Sequence, residues 1–84
     1  MLKIEFYDLE NMDGYFSGII FIYTIKERYI LEFGYDIEFS QLKLLNCNNN
    51  LYNTEHVMYS QEKILEIRED YAGYIINEIK YRLR

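Results

Sequence analysis

Between Tyr29 and Phe39 the chain alternates with a period of two. Tyr29, Leu31, Phe33, Tyr35, Ile37 and Phe39 are apolar or aromatic, whereas Glu32, Gly34, Asp36 and Glu38 are acidic or glycine. Side chains alternate across a strand, so the pattern predicts a strand with one buried face and one carboxylate face. Gly34 within it marks a bulge or a close approach of another group. Leu2 to Leu9 also alternates, with Leu2, Ile4 and Phe6 set against Lys3, Glu5 and Tyr7. It predicts a second strand whose even face points inward. Ile19 to Lys26 is apolar at nearly every position. A short unbroken run rich in Ile and aromatics predicts a central strand covered on both faces.

The connections carry their own signals. Asp13-Gly14 suits the positive φ of a tight hairpin turn, and Lys26-Glu27-Arg28 is a charged reversal. Gln41 to Leu45 fits a helical turn or a short strand, and Asn46 to Asn50 reads as a polar loop. Glu55 to Tyr59 is expected to form a short fourth strand. Ser60 is a suitable N-cap, and Glu62 suits the positive end of a helix dipole. From Gln61 to Leu83 one apolar stripe holds Ile64, Ile67, Tyr71, Tyr74 and Ile75, and a second holds Leu65, Ala72, Ile76, Ile79 and Leu83. Lys80, Arg82 and Arg84 complement the negative end, and Gly73 serves close packing or a kink. The expected architecture is α+β: residues 1–84 form a single small domain, an antiparallel meander of three or four strands with one long C-terminal helix on one face.

That architecture leaves a surplus. One helix covers one face of a sheet, yet the second strand is apolar on both. If Ile19, Phe21, Tyr23 and Ile25 face the helix, Ile20 and Ile22 face outward; the opposite register exposes an aromatic row. Either way an apolar strip lies beside Glu5, Tyr7, Glu32, Asp36 and Glu38. Such a strip is covered by Tyr15, Phe16 or the Leu42–Leu45 segment, by a second copy of the chain, or by a foreign partner.

Charge sharpens the choice. The 84 residues carry a net charge of −5. Eight acids and three bases fall in residues 1–42, while residues 43–84 are neutral. An acidic surface repels phosphate backbones, so direct nucleic-acid binding is disfavoured and a larger protein with a basic surface is the expected partner. A homodimer through the open sheet face is the alternative. The expected partner-binding residues are Glu5, Tyr7, Tyr15, Glu32, Asp36 and Glu38. Ten tyrosines and no tryptophan supply contact area at low entropic cost. Tyr71, Tyr74 and Tyr35 fall on the expected core side, leaving Tyr7, Tyr15 and Tyr59 as interface candidates.

Candidate chemistry adds little. Cys47 and His56 are the only thiol and imidazole, separated by an Asn-rich loop. Nucleophilic catalysis needs a base within hydrogen-bond reach, and a metal site needs three or four ligands. The expectation is a surface or half-buried thiol and an ordinary loop histidine, with no catalytic residue, no metal and no cofactor. Glu32, Asp36 and Glu38 on one strand face would need a pocket to do acid–base work. The lone cysteine, the lack of a signal-like start and the short apolar runs point to a soluble chain in the cytoplasm of a bacterial host cell, with no membrane association. In size and composition the chain resembles phage anti-CRISPR proteins and toxin-immunity proteins, though no motif carries the likeness. What that implies is an inhibitor occluding a basic, nucleic-acid-binding surface.

Overall fold

The computed structural model describes residues 1–83. Four strands run in chain order, β1 (Leu2–Met12), β2 (Tyr15–Thr24), β3 (Arg28–Asp36) and β4 (Gln41–Asn46), followed by helix α1 (Gln61–Arg82). The strands form one antiparallel sheet in the order β1-β2-β3-β4. This is the expected α+β meander with four strands.

The register decides which apolar row meets the helix. Phe6, Ile20 and Leu31 stand in one row, and Phe16, Tyr35 and Leu42 in another. These residues, with Ile22, Tyr29, Phe33 and Leu44, form the core with Ile64, Ile67, Ile75 and Ile79 of α1. The odd face of β3 and the even face of β2 are therefore inside. The aromatic row Phe21 and Tyr23 falls on the other face.

Two boundaries differ from expectation. β3 stops at Asp36, where the Asp36 carboxylate accepts the Phe39 N–H (3.2 Å) and starts a turn that ends with Ser40 at φ 51°. An Asp that bonds the backbone three residues on offers the chain a turn in place of further pairing. Ile37 and Phe39 are consequently exposed, not core, and Glu38 does not share a strand face with Glu32 and Asp36. The expected strand over Glu55–Tyr59 does not form; the fourth strand is Gln41–Asn46.

The helix begins as expected, with Ser60 Oγ accepting from Lys63 N (3.1 Å). Its buried stripe is narrower than the two stripes together. Leu65 and Tyr74, nine residues apart and so on opposite flanks about 180° apart, are both exposed. Tyr74 is therefore not a core residue, whereas Tyr71 is half-buried against the core and Tyr35 is 1% exposed. Lys80 and Arg82 lie in the last turn; Arg84 lies outside the described residues.

Two glycines have opposite meanings. In β1, Asp8 and Leu9 both oppose Gly18, and Asp8 adopts φ 52°, which makes a β-bulge. A Cβ on Gly18 would lie 2.7 Å from the Tyr7 carbonyl oxygen, so the bulge requires glycine there. A Cβ on Gly73 would meet nothing within 4 Å, so close packing on the sheet is not the role of that residue. Gly73→Ala is expected to stabilise the fold by about 1 kcal/mol through helix propensity. Gly18→Ala is expected to cost roughly 1–3 kcal/mol through overpacking against backbone. Urea denaturation of the two variants checks both signs.

Candidate functional site

The face of the sheet away from α1 carries Tyr7, Ile19, Glu32 and Leu45 in one row and Glu5, Phe21 and Ile30 in the next. This face is not open over most of its width. The chain leaving β4 folds across it: Cys47 packs on Ile19 and Ile30, with Phe21 and Tyr52 at the margin. The Tyr52 ring sits 5.3 Å from Tyr7 and 6.5 Å from Phe21. Its hydroxyl donates to Asp8 Oδ1 (3.0 Å), an interaction that holds the phenol pKa above the ordinary tyrosine range. The surplus strip thus has a cover within the chain. Its cover is the segment after β4, not Tyr15, Phe16 or Leu42–Leu45. Phe16 lies in the helix-side core, and Tyr15 lies over Gly34, where a Cβ would collide with its hydroxyl.

Asparagine amides hold this cover. Asn53, 4% exposed, donates from Nδ2 to the carbonyls of Cys47 (2.9 Å) and Val57 (2.8 Å), and its Oδ1 accepts from Val57 N (2.9 Å). Asn46 repeats the clasp two residues further on. Its Nδ2 donates to Tyr59 O (3.0 Å), and its Oδ1 accepts from Tyr59 N (2.8 Å). Alternate residues Val57 and Tyr59 are held as a strand would be, by amide side chains in place of a neighbouring backbone. The backbone groups of Val57 and Tyr59 that a strand would offer to a neighbour are thus taken by side chains, and Glu55–Tyr59 forms no strand. The Tyr59 hydroxyl accepts from Ile30 N (3.2 Å), so Tyr59 is engaged by the fold.

Several candidate residues are engaged internally by the same construction. Glu32 accepts from Asn48 N (2.8 Å) and ties down the start of the cover. Glu5 pairs with Lys3 (3.6 Å) and accepts the Tyr23 hydroxyl. Burial first, and then that hydrogen bond, raises the Tyr23 pKa. Tyr7 packs edge-on against Phe21 (5.2 Å) and beside Tyr52. Cys47 is 1% exposed, deeper than a surface or half-buried thiol, and burial pushes its pKa up. His56 is an exposed loop residue at φ 54°.

The remaining candidates gather elsewhere, at the end of the sheet formed by two turns. The β1–β2 turn places Asp13 and Gly14 at φ 48° and 86°, and Ile37 N of the β3–β4 turn donates to Gly14 O (2.9 Å). The bond pins the turns side by side. Residues 10–15 and 36–41 contain four acids, Glu10, Asp13, Asp36 and Glu38, and no Lys or Arg. Among them Met12 (68%), Phe39 (71%), Tyr15 and Ile37 are exposed large apolar side chains. Tyr15, Asp36 and Glu38 of the expected set belong to this tip, while Glu5, Tyr7 and Glu32 do not. Sequence reasoning missed Glu10, Met12, Asp13, Ile37 and Phe39 because they lie at or beside turns, where period-two alternation says nothing about sides.

A groove of about 570 Å³ runs from the tip between β4 and α1, with Asp36, Gln41, Lys43, Leu65 and Arg68 in its walls. Arg68 Nε donates to Leu42 O (3.0 Å) on the outer edge of β4. Among the described residues, no group of three or more His, Cys, Asp and Glu is arranged to hold a metal ion. No helix among them is long and apolar enough to cross a membrane. Comparison of the chain with protein-family models, curated proteins and solved structures returns no match.

Because Asn53 satisfies three backbone groups at once, Asn53→Ala is expected to cost roughly 1–3 kcal/mol and to loosen the cover. The readout is Cys47: an aromatic disulfide reagent should label it slowly in the native protein and markedly faster in the variant. Equal labelling rates would mean that Asn53 does not secure the cover.

Proposed function

We propose that the chain is a small non-catalytic binding protein that sets its acidic, apolar tip against a basic surface of a larger protein and occludes it. The observation that carries this reading is the pairing of four acids and no base with four exposed apolar side chains, on two turns bonded to each other. An apolar centre rimmed by charge of one sign suits a protein interface. Acidic residues also steer encounter with a basic partner and repel phosphate. The tip is preorganised by backbone and Asx-turn bonds, so little ordering entropy is lost on docking. A surface that binds nucleic acid is the natural basic target, which makes the protein an inhibitor of the kind that phage anti-CRISPR and toxin-immunity proteins exemplify, acting in the cytoplasm of a bacterial host. A homo-oligomer through the sheet face away from α1 has less support, because Cys47 and Tyr52 already lie over Ile19, Ile30 and Phe21.

The test is affinity capture from bacterial host lysate with immobilised protein, followed by identification of the captured partner and measurement of its affinity against salt. Asp36→Asn retains the side-chain acceptor of the turn while removing charge, and Asp13→Asn tolerates the left-handed backbone. Together with Glu38→Gln they should weaken binding by about tenfold or more and flatten its salt dependence. Phe39→Ala should also weaken binding, whereas Glu32→Gln should not. Binding untouched by the tip changes, or a captured partner without a basic surface, would contradict the reading.

A further inference from the structure

Among the described residues, the outer edge of β1 has no strand beside it, since β1 is at the end of the sheet and pairs with β2 alone. From Leu2 to Tyr7 that edge is regular, and the bulge at Asp8 ends the regular stretch. Unpaired edges of this kind template the addition of another strand unless charge, bulges or a covering element prevents it. The opposite edge is different: Arg68 donates to a β4 carbonyl there. Among the described residues, none hydrogen-bonds the outer edge of β1 over Leu2–Tyr7 in this way; Arg82 lies over the ring of Phe6 (5.0 Å) on the helix side, not on the edge.

We propose that two copies of the chain pair antiparallel through β1, about a two-fold axis at Ile4. A two-fold axis perpendicular to the sheet brings residues of equal parity opposite one another, so only a few registers exist. An axis at Lys3 sets Lys3 against Lys3, and an axis at Glu5 sets Glu5 against Glu5; like charges directly opposite destabilise a pair. An axis at Phe6 would run into the bulge at Asp8. The axis at Ile4 sets Lys3 against Glu5 of the other copy, twice. On the helix side it sets Ile4 against Ile4 and Leu2 against Phe6. All three of those residues are only half-buried in the single chain, packed at the margin of the core.

A second feature lies beside the same edge. A groove of about 270 Å³ is lined by Leu2, Ile4, Tyr74, Asn77 and Glu78, and Tyr74 is 59% exposed. The proposed axis turns the grooves of the two copies toward each other, so that the exposed Tyr74 flank of each helix borders the joint. The result is a continuous eight-stranded sheet with both helices on one face. Because the strands run antiparallel across the axis, the two acidic tips end at opposite ends of the assembly and stay accessible. The pairing does not depend on what those tips bind.

Sedimentation equilibrium at about 10–100 µM, a range set by the modest size of a strand-edge interface, tests the proposal. The wild-type protein is expected to show a species of twice the 10.3 kDa chain mass. Lys3→Glu, and separately Glu5→Lys, each create two like-charge pairs and should weaken dimerisation at least about tenfold. The double variant Lys3→Glu/Glu5→Lys restores opposite charges at both positions and should dimerise again. A mixture of the two single variants should form a heterodimer. A wild-type chain that stays monomeric throughout overturns the proposal, and so does a dimer indifferent to these charges. A double variant that remains monomeric while circular dichroism shows it folded also overturns the register.

Discussion

The structure depends on two asparagine amides standing in for a missing strand. A four-stranded sheet with one helix has a second face to account for, and β2 is apolar on both sides. Asn53 and Asn46 clasp Val57 and Tyr59 through paired N–H and C=O bonds, which fixes the segment after β4 over Ile19, Ile30 and Phe21. A backbone crossing an apolar face needs partners for its own polar groups, because burying one unpaired costs about 1–3 kcal/mol. The amides supply them in a geometry that a strand would otherwise provide. Burial of Cys47, anchoring by Glu32 and the packing of Tyr52 beside Tyr7 all follow from this arrangement.

The same arrangement sorts the acidic residues. Glu5, Glu32 and Asp8 bond to Lys3 and Tyr23, to Asn48 and to Tyr52, and so serve the fold. Glu10, Asp13, Asp36 and Glu38 converge at the end where the two hairpin turns are bonded together. A net charge of −5 becomes a directional property of the molecule: one end has acids without bases among exposed Met12, Tyr15, Ile37 and Phe39. A carboxylate face of the sheet, suggested by Glu32, Asp36 and Glu38 in alternation, is replaced by a carboxylate tip.

Much of the fold was legible because its signals are local. Period-two alternation identifies β1 and β3, Asp13-Gly14 supplies the positive φ of the first turn, and Ser60 with Glu62 marks the helix start. The mistaken parts share a different cause. Ile37 and Phe39 continue the alternation of β3, but the Asp36 side chain captures the Phe39 N–H and ends the strand. Glu55–Tyr59 has the length of a short strand, yet the partners of Val57 and Tyr59 are the side-chain amides of Asn53 and Asn46, a pairing that no local pattern displays. Tyr74 and Leu65 are apolar at helical spacing, and only the width of the sheet beneath decides that both fall outside its reach. The tip was largely illegible, because two turns distant in sequence meet where Tyr15 pairs with Asp36 and the Ile37 N–H donates to Gly14 O.

Residues 47–59 form a fixed cover and not a free loop, a difference that native-state hydrogen exchange resolved by residue reads out. The amides of Asn48, Val57 and Tyr59, which donate to Glu32, Asn53 and Asn46, should exchange well below the rate of an unstructured chain, within reach of the protected amides of β2 and β3. Exchange of all three at unstructured-chain rates, with the strands still protected, would show instead that the second face of the sheet is open and that residues 47–59 are a free loop.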